Sequence, residues 1–223
     1  MNLVIAKLIM RLAKKRNCNM AVLTEKQIKY GFDYYHKDDA RPKSVVEVSE
    51  YDGEDKLIIN CTQLDEGYSA KDKKRIWLEW CDFLVNNPDA FTELMFCTRM
   101  PQDLFDAVCA QRRLKKLHIK WGVYPDISKL ESLQELEYLH IGSGRSVSSL
   151  EPISRLVNLV ALSIENFQQI DDYAPLANLK HLESLALEGD FAAPKILKVQ
   201  SLEFLRHMKQ LRFFSLLTAK VID

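Results

Sequence analysis

An apolar-x-x-apolar-x-apolar hexamer returns six times between residues 91 and 216 of the 223-residue chain, and no other feature restricts the fold as tightly. The copies are Phe91, Leu94 and Phe96; Leu114, Leu117 and Ile119; Leu136, Leu139 and Ile141; Leu159, Leu162 and Ile164; Leu182, Leu185 and Leu187; and Leu211, Phe214 and Leu216. Their starts are 23, 22, 23, 23 and 29 residues apart. A period in the low twenties describes a solenoid, in which each repeat buries its apolar face only by stacking on its neighbours.

Within each hexamer the first, fourth and sixth residues face inward, and the intervening side chains stand on the opposite, concave side. The connecting segments carry a second pattern. Ile127, Leu130 and Leu133 lead into Leu136, Leu150, Ile153 and Leu156 into Leu159, Tyr173, Leu176 and Leu179 into Leu182, and Leu202, Leu205 and Met208 into Leu211. Spacing of three predicts 3-10 helices, whose side chains at i and i+3 eclipse, and connectors this short leave no room for long α-helices.

Strand and back patterns that repeat together over about residues 91 to 217 resemble the short leucine-rich repeats of the internalin type. The resemblance implies an α/β leucine-rich repeat solenoid with about six parallel strands, a 3-10 helical convex side and a curved protein-binding surface. The family usually places Asn three residues after the strand motif, where its side chain bonds the turn of the next coil. Here Arg99, Gly122, Gly144, Phe167, Asp190 and Ala219 take those places, so the turns must be satisfied otherwise and irregular coils are expected.

Residues 1–90 lack the repeat and are expected to form an α/β N-terminal cap, with the solenoid over 91–223, because an open stack exposes apolar surface and strand edges. Thr24 and Gln27 have the capping-box spacing and open a helix through Tyr35, which Pro42 closes off. Val45 to Val48 and Leu57 to Cys61 flank Asp52-Gly53 and predict a β-hairpin. A helix follows from about Lys71 to Asn86, with Ile76, Trp77, Trp80, Phe83 and Leu84 at helical spacing and Asn86-Asn87-Pro88 as its stop. The tryptophans are expected to cover the first coil.

Thirty-one basic and thirty-one acidic side chains cancel, so no overall field draws the chain to nucleic acid or to an anionic membrane. The apolar stretch Leu3 to Ala13 is interrupted by Lys7 and Arg11 and followed by Lys14, Lys15 and Arg16. It matches neither a signal peptide nor a span of about 20 apolar residues, and reads as an amphipathic helix or a leader. Five cysteines, Cys18, Cys61, Cys81, Cys97 and Cys109, show no Cys-x-x-Cys pairing. They fit reduced packing residues of a cytoplasmic protein.

On the concave side the middle position of successive strands holds Met95, His118, His140, Ser163, Ala186 and Ser215, which sets His118 beside His140 about 4.8 Å away. A histidine pair can bind metal or respond to pH. A metal needs a third or fourth ligand, however, and Lys116 and Lys120 repel a cation. With Trp121 and an exposed Tyr138 these lysines form a basic, aromatic patch, while Glu165, Asn166 and Glu188 occupy the later repeats. Aromatic anchors with complementary flanking charge suit a protein partner. Trp121 either faces that partner or folds into the turn and closes the core.

No phosphate loop, zincin motif or nucleophile elbow is present, and the chain is expected to be no enzyme and to use no cofactor or metal. Gly142-Ser143-Gly144-Arg145 could hold a phosphate on its amides or simply form a glycine turn. Cys97, outward near Lys120, lacks a base to make it a nucleophile. The longer last interval carries an insertion, Phe191 to Lys198, of the kind that serves recognition beside a rigid scaffold. The C-terminal coil, with Phe213, Phe214, Leu216 and Leu217, predicts a homodimer, a partner contact or a terminal strand that covers the edge. The sequence thus points to a non-enzymatic module that binds another protein on its concave face, as an inhibitor or immunity-type neutraliser. The alternatives are a small-molecule or metal site at His118 and His140, and structural self-association through the C-terminal coil.

Overall fold

The computed structural model describes residues 41–190 and 196–222, within the larger of the two units into which the chain divides, Ala40–Asp223. The segment from Leu3 to Ala13, Cys18, the helix expected from Thr24 to Tyr35 and the Phe191 to Lys195 part of the insertion lie outside the described residues.

The strands, in chain order, are β1 (Lys43–Val45), β2 (Lys56–Ile59), β3 (Glu93–Phe96), β4 (Met100–Pro101), β5 (Lys116–Ile119) and β6 (Gly122–Val123). They continue as β7 (Tyr138–Ile141), β8 (Ala161–Glu165), β9 (Ser184–Glu188), β10 (Leu197–Val199), β11 (Phe213–Leu217) and β12 (Ala219–Val221). Every hexamer supplies one strand of an eight-stranded sheet ordered β1-β2-β3-β5-β7-β8-β9-β11. All its pairings are parallel and in register, so that Leu94, Leu117, Leu139, Leu162, Leu185 and Phe214 form one continuous inward row. This is a leucine-rich repeat solenoid. The inward residues of the first five hexamers are at most 2% exposed.

The backs are the i, i+3 turns that the spacing predicts. Ser128–Ser132, Ala174–Asn178 and Glu203–His207 are 3-10 helices. In the first, Leu130 N donates to Ile127 O, Leu133 N to Leu130 O and Leu136 N to Leu133 O, at 3.0, 2.9 and 3.1 Å. Two backs are α-helical instead, Gln102–Val108 and the single turn Glu151–Ser154. The longer one buries Leu104, Phe105, Ala107 and Val108, a denser apolar run than three-spacing provides.

The turns are closed without an asparagine ladder, by two substitutes. Backbone amides reach the next coil directly: Met100 N to Trp121 O, Gly144 N to Glu165 O, Asn166 N to Glu188 O and Gly189 N to Leu217 O, at 2.9, 3.0, 2.7 and 2.9 Å. Aromatic rings then fill the space that the missing side chains leave. Phe105 stacks on Tyr124 at 5.0 Å, the Tyr124 hydroxyl donates to Gly142 O, and Phe167 is fully buried against Gly144.

The predicted hairpin is not formed: β1 and β2 run parallel, pairing Lys43 with Leu57 and Val45 with Ile59. Their connection holds a 3-10 turn, Val48–Glu50, before Gly53 at φ +96° reverses the chain again. The Lys43 ammonium fastens this second reversal to Asp52 and Glu54 at 2.6 and 3.0 Å. Asp52-Gly53 is therefore one of two corners in a small coil that begins the same sheet.

The helix Ala70–Asn86 starts where the Ser69 hydroxyl accepts from Asp72 N at 3.1 Å, and stops ahead of Pro88. Its Ile76, Trp80 and Leu84 are buried, and Trp80 Nε1 donates to Val46 O at 2.8 Å. Gln111, fully buried, locks this helix to the first repeat. Its Nε2 donates to Leu84 O and Asn87 O at 2.6 and 3.0 Å, and its Oε1 accepts from Phe91 N at 3.3 Å. At the other end of the sheet, Leu202, Leu205, Leu211, Phe214 and Leu216 pack on the core but stay only half-buried.

Candidate partner-binding face

Because inward positions take every second residue, the side chains between them form rows on the opposite face of the sheet. The middle row is the predicted one. Met95 pairs with His118, His118 with His140, His140 with Ser163, Ser163 with Ala186 and Ala186 with Ser215. The His118 and His140 rings stack with centroids 4.2 Å apart and planes 12° from parallel. His140 Nδ1 lies 3.0 Å from Ser163 Oγ, a partner that sequence reasoning placed on the row but not in the site. Its signal was the register itself.

Both imidazoles are held neutral. Burial first, then His140, Lys116 and Lys120, bring His118 down to about 3, and burial brings His140 down to about 4. On the row beside them, the Lys116 ammonium stands 5.4 Å from the Tyr138 ring centroid, within cation–π range. Tyr138, expected exposed, is half-buried, and burial followed by the Glu188 charge pushes its hydroxyl up to about 12. Lys56 and Glu93 continue this row toward β2 as an ion pair of 3.2 Å.

The charges divide along the face as the sequence predicts. Lys120 is exposed at the end of β5, whereas Glu165 and Glu188 pair in register on β8 and β9. Burial raises the Glu188 carboxyl. Trp121 is half-buried and stands outside the core cluster, so it does not close the core.

Asn166 is not on this surface. It is 5% exposed, adopts φ +61°, and donates through Nδ2 to Asp190 Oδ2 at 3.3 Å while its Oδ1 accepts from Gln168. Asparagine tolerates this left-handed conformation well, and the residue ends β8 as a turn, one position before the place where the family's asparagine stands.

The chemical alternatives find little to stand on. Among the described residues no group of three or more His, Cys, Asp or Glu could hold a metal ion. In the glycine turn the Gly142, Gly144 and Arg145 amides donate to Ile119 O, Glu165 O and Ser143 O at 2.8, 3.0 and 2.8 Å. Cys61, Cys81, Cys97 and Cys109 are unpaired. Burial raises the Cys61 and Cys81 thiols to about 12 and about 11, and raises Cys109 further. No described helix is long and apolar enough to cross a membrane.

No model of a known protein family matches the chain, and no curated protein sequence is similar to it. Among solved structures, the chain is similar to an internalin (InlF) from Listeria monocytogenes at 17% identity and a TM-score of 0.48, covering 75% of this chain and 41% of that one. It is also similar to internalin C2 (InlC2) from the same organism at 18% identity and a TM-score of 0.44, covering 72% of this chain and 67% of that one. The chain thus spans less than half the length of the first. By its own repeat period, in-register parallel strands and 3-10 backs, the chain has a leucine-rich repeat fold.

Proposed function

We propose that the chain is a non-enzymatic interaction module that binds a partner protein on the sheet face opposite the core. The observation that carries this reading is the row of neutral, stacked imidazoles beside Lys116 over Tyr138, with Lys120 and Trp121 following β5 in the chain. Neutral histidines and half-buried aromatics cost little to desolvate, and flanking charges of opposite sign at the two ends set orientation. Lys116, His118, Lys120, Trp121, Tyr138 and His140 take one side of the partner, and Glu165 and Glu188 the other. Covering a partner's active surface in this way is inhibition, the action of a neutralising or immunity-type protein. The unpaired described cysteines support work in a reducing compartment such as the cytoplasm.

The test is affinity capture from lysate of the source organism. The wild-type chain is compared with a Lys116→Glu, Lys120→Glu, Trp121→Ala variant of equal thermal stability. A partner protein held by the wild type and lost by the variant is the expected outcome. Equal retention by both removes this face from the reading.

A further inference from the structure

Charge is arranged differently on the two sides of the coils. Where the strands begin and along the back, a base of one coil meets an acid of its neighbour. Arg112 pairs with Asp89, Lys115 with Glu137 at 4.0 Å, Lys129 with Asp106 at 2.7 Å, Arg155 with Glu131 at 3.4 Å and Arg212 with Glu183 at 3.5 Å. Where the strands end, three successive coils each carry an exposed cation: Arg99 after β3, Lys120 after β5 and Arg145 after β7. None of these three is ion-paired among the described residues.

Because β3, β5 and β7 are adjacent and parallel, their ends lie on one rim. Register carries the alignment past the strands: Met100 pairs with Gly122 and Pro101 with Val123, which sets Arg99 level with Trp121 on the next coil. Trp121 is half-buried and Val123 is 48% exposed, so apolar surface lies among the cations. A Cβ on Gly142 would collide with Lys120 O, and bare backbone therefore floors the step from Lys120 toward Arg145. Acids bound the strip on both sides. Asp65 and Glu66 follow β2, and Glu165 and Glu188 close β8 and β9.

We propose that this rim receives a short acidic segment of the partner protein, an extended run of Asp or Glu with an apolar residue among them. This rests on the reading that the chain binds a protein partner, and it adds Arg99 and Arg145 to the residues that meet it. Adjacent strands lie about 4.8 Å apart, so three coils span about 10 Å, the length of roughly three extended residues. The strip thus matches a few consecutive carboxylates, and charge pairs at such an exposed rim fix orientation and speed association. A nucleic-acid strand fits worse. Its phosphates would run past the strip onto the carboxylates that bound it, and a formal net charge of zero supplies no field to offset that repulsion.

Fluorescence anisotropy with the full chain tests the proposal, at about 50 mM salt, where screening is weak. The probe is a fluorescein-labelled peptide of four glutamates and one leucine, compared with its glutamine counterpart and with a thymidine tetranucleotide. Binding is expected for the glutamate peptide and at least about five-fold weaker for an Arg99→Gln, Arg145→Gln variant, the loss that two exposed charge pairs produce. An Arg112→Gln, Arg155→Gln variant removes the same charge from the start of the strands and the back, and is expected to bind as the wild type does. The proposal is overturned if the two peptides bind alike, if both variants lose the peptide equally, or if the tetranucleotide binds more tightly than the glutamate peptide. Capture from lysate separates this inference from the reading beneath it. A partner lost by the Lys116→Glu, Lys120→Glu, Trp121→Ala variant but fully held by Arg99→Gln, Arg145→Gln overturns the acidic segment and leaves the partner-binding face standing.

Discussion

His118 and His140 stack face to face at 4.2 Å between ring centroids, on adjacent strands of one parallel sheet. Two imidazoles this close cannot both be charged at low cost, and burial with Lys116 and Lys120 nearby keeps them neutral down to about 3 and about 4. The unfolded chain, with ordinary histidines, takes up these protons from about pH 6.5. Between that value and the folded values the unfolded state binds more protons, so stability is fully present above about pH 6.5 and falls as the pH falls. The raised Glu188 carboxyl opposes this trend, so the histidine contribution over the interval from about pH 6.5 to 5 is read as the difference between two chains. Urea midpoints measured across that interval are expected to decline for the wild type and to stay flatter for a His118→Gln, His140→Gln chain. Equal slopes would show that the pair is not held neutral.

The glycine turn after β7 sets a second expectation. The Phe167 ring packs against Gly144 so closely that a Cβ there would overlap ring atoms of a fully buried side chain. Gly144→Ala is expected to lower stability by about 1–3 kcal/mol through overpacking. Adding Phe167→Leu to that change should recover part of the loss, whereas Phe167→Leu alone should only destabilise. Thermal melts of the three variants measure the coupling, and simple additivity would refute the contact.

Much of this fold is written in spacing. The hexamers specify the parallel strands and their register, and the three-spaced backs specify 3-10 helices, because both patterns survive unchanged through several repeats. The row that joins His118 to His140 follows from register alone. Local signals served less well. Asp52-Gly53 marks a true reversal, but a turn signal does not reveal that a second corner at Val48–Glu50 restores the parallel direction. Asn166 sits one residue after an outward strand position, and only the left-handed backbone shows that its side chain turns inward. Tyr138 shares an outward row with Lys116, and its half-burial depends on neighbours that spacing does not describe.

Cysteine reactivity follows the same burial pattern. The Cys61 and Cys109 thiols are buried and pushed up, away from the reactive thiolate, while Cys97 is partly exposed. Peptide-mapped alkylation of the native chain at neutral pH is expected to label Cys97 at least about ten-fold faster than Cys61 or Cys109. Comparable rates at the three sites would mean that the first coils open readily in the native state.

Gln111 makes the strongest case for a polar residue that holds the architecture together. Fully buried, it donates to Leu84 O and Asn87 O at the end of the helix Ala70–Asn86 and accepts from Phe91 N at the start of the first hexamer. Asn87 O also accepts from Ala90 N at 3.1 Å, and leaving a buried backbone group unpaired costs about 1–3 kcal/mol. Gln111→Leu keeps nearly the same volume, so its effect isolates the hydrogen bonds from packing. It is expected to lower stability by at least about 2 kcal/mol and to raise hydrogen exchange at Phe91 and through the last turn of that helix, while the strands β7 to β9 keep their protection. A global loss spread evenly over all repeats would instead mean that Gln111 supports the whole stack, and no loss at all would mean that solvent satisfies these groups in its place.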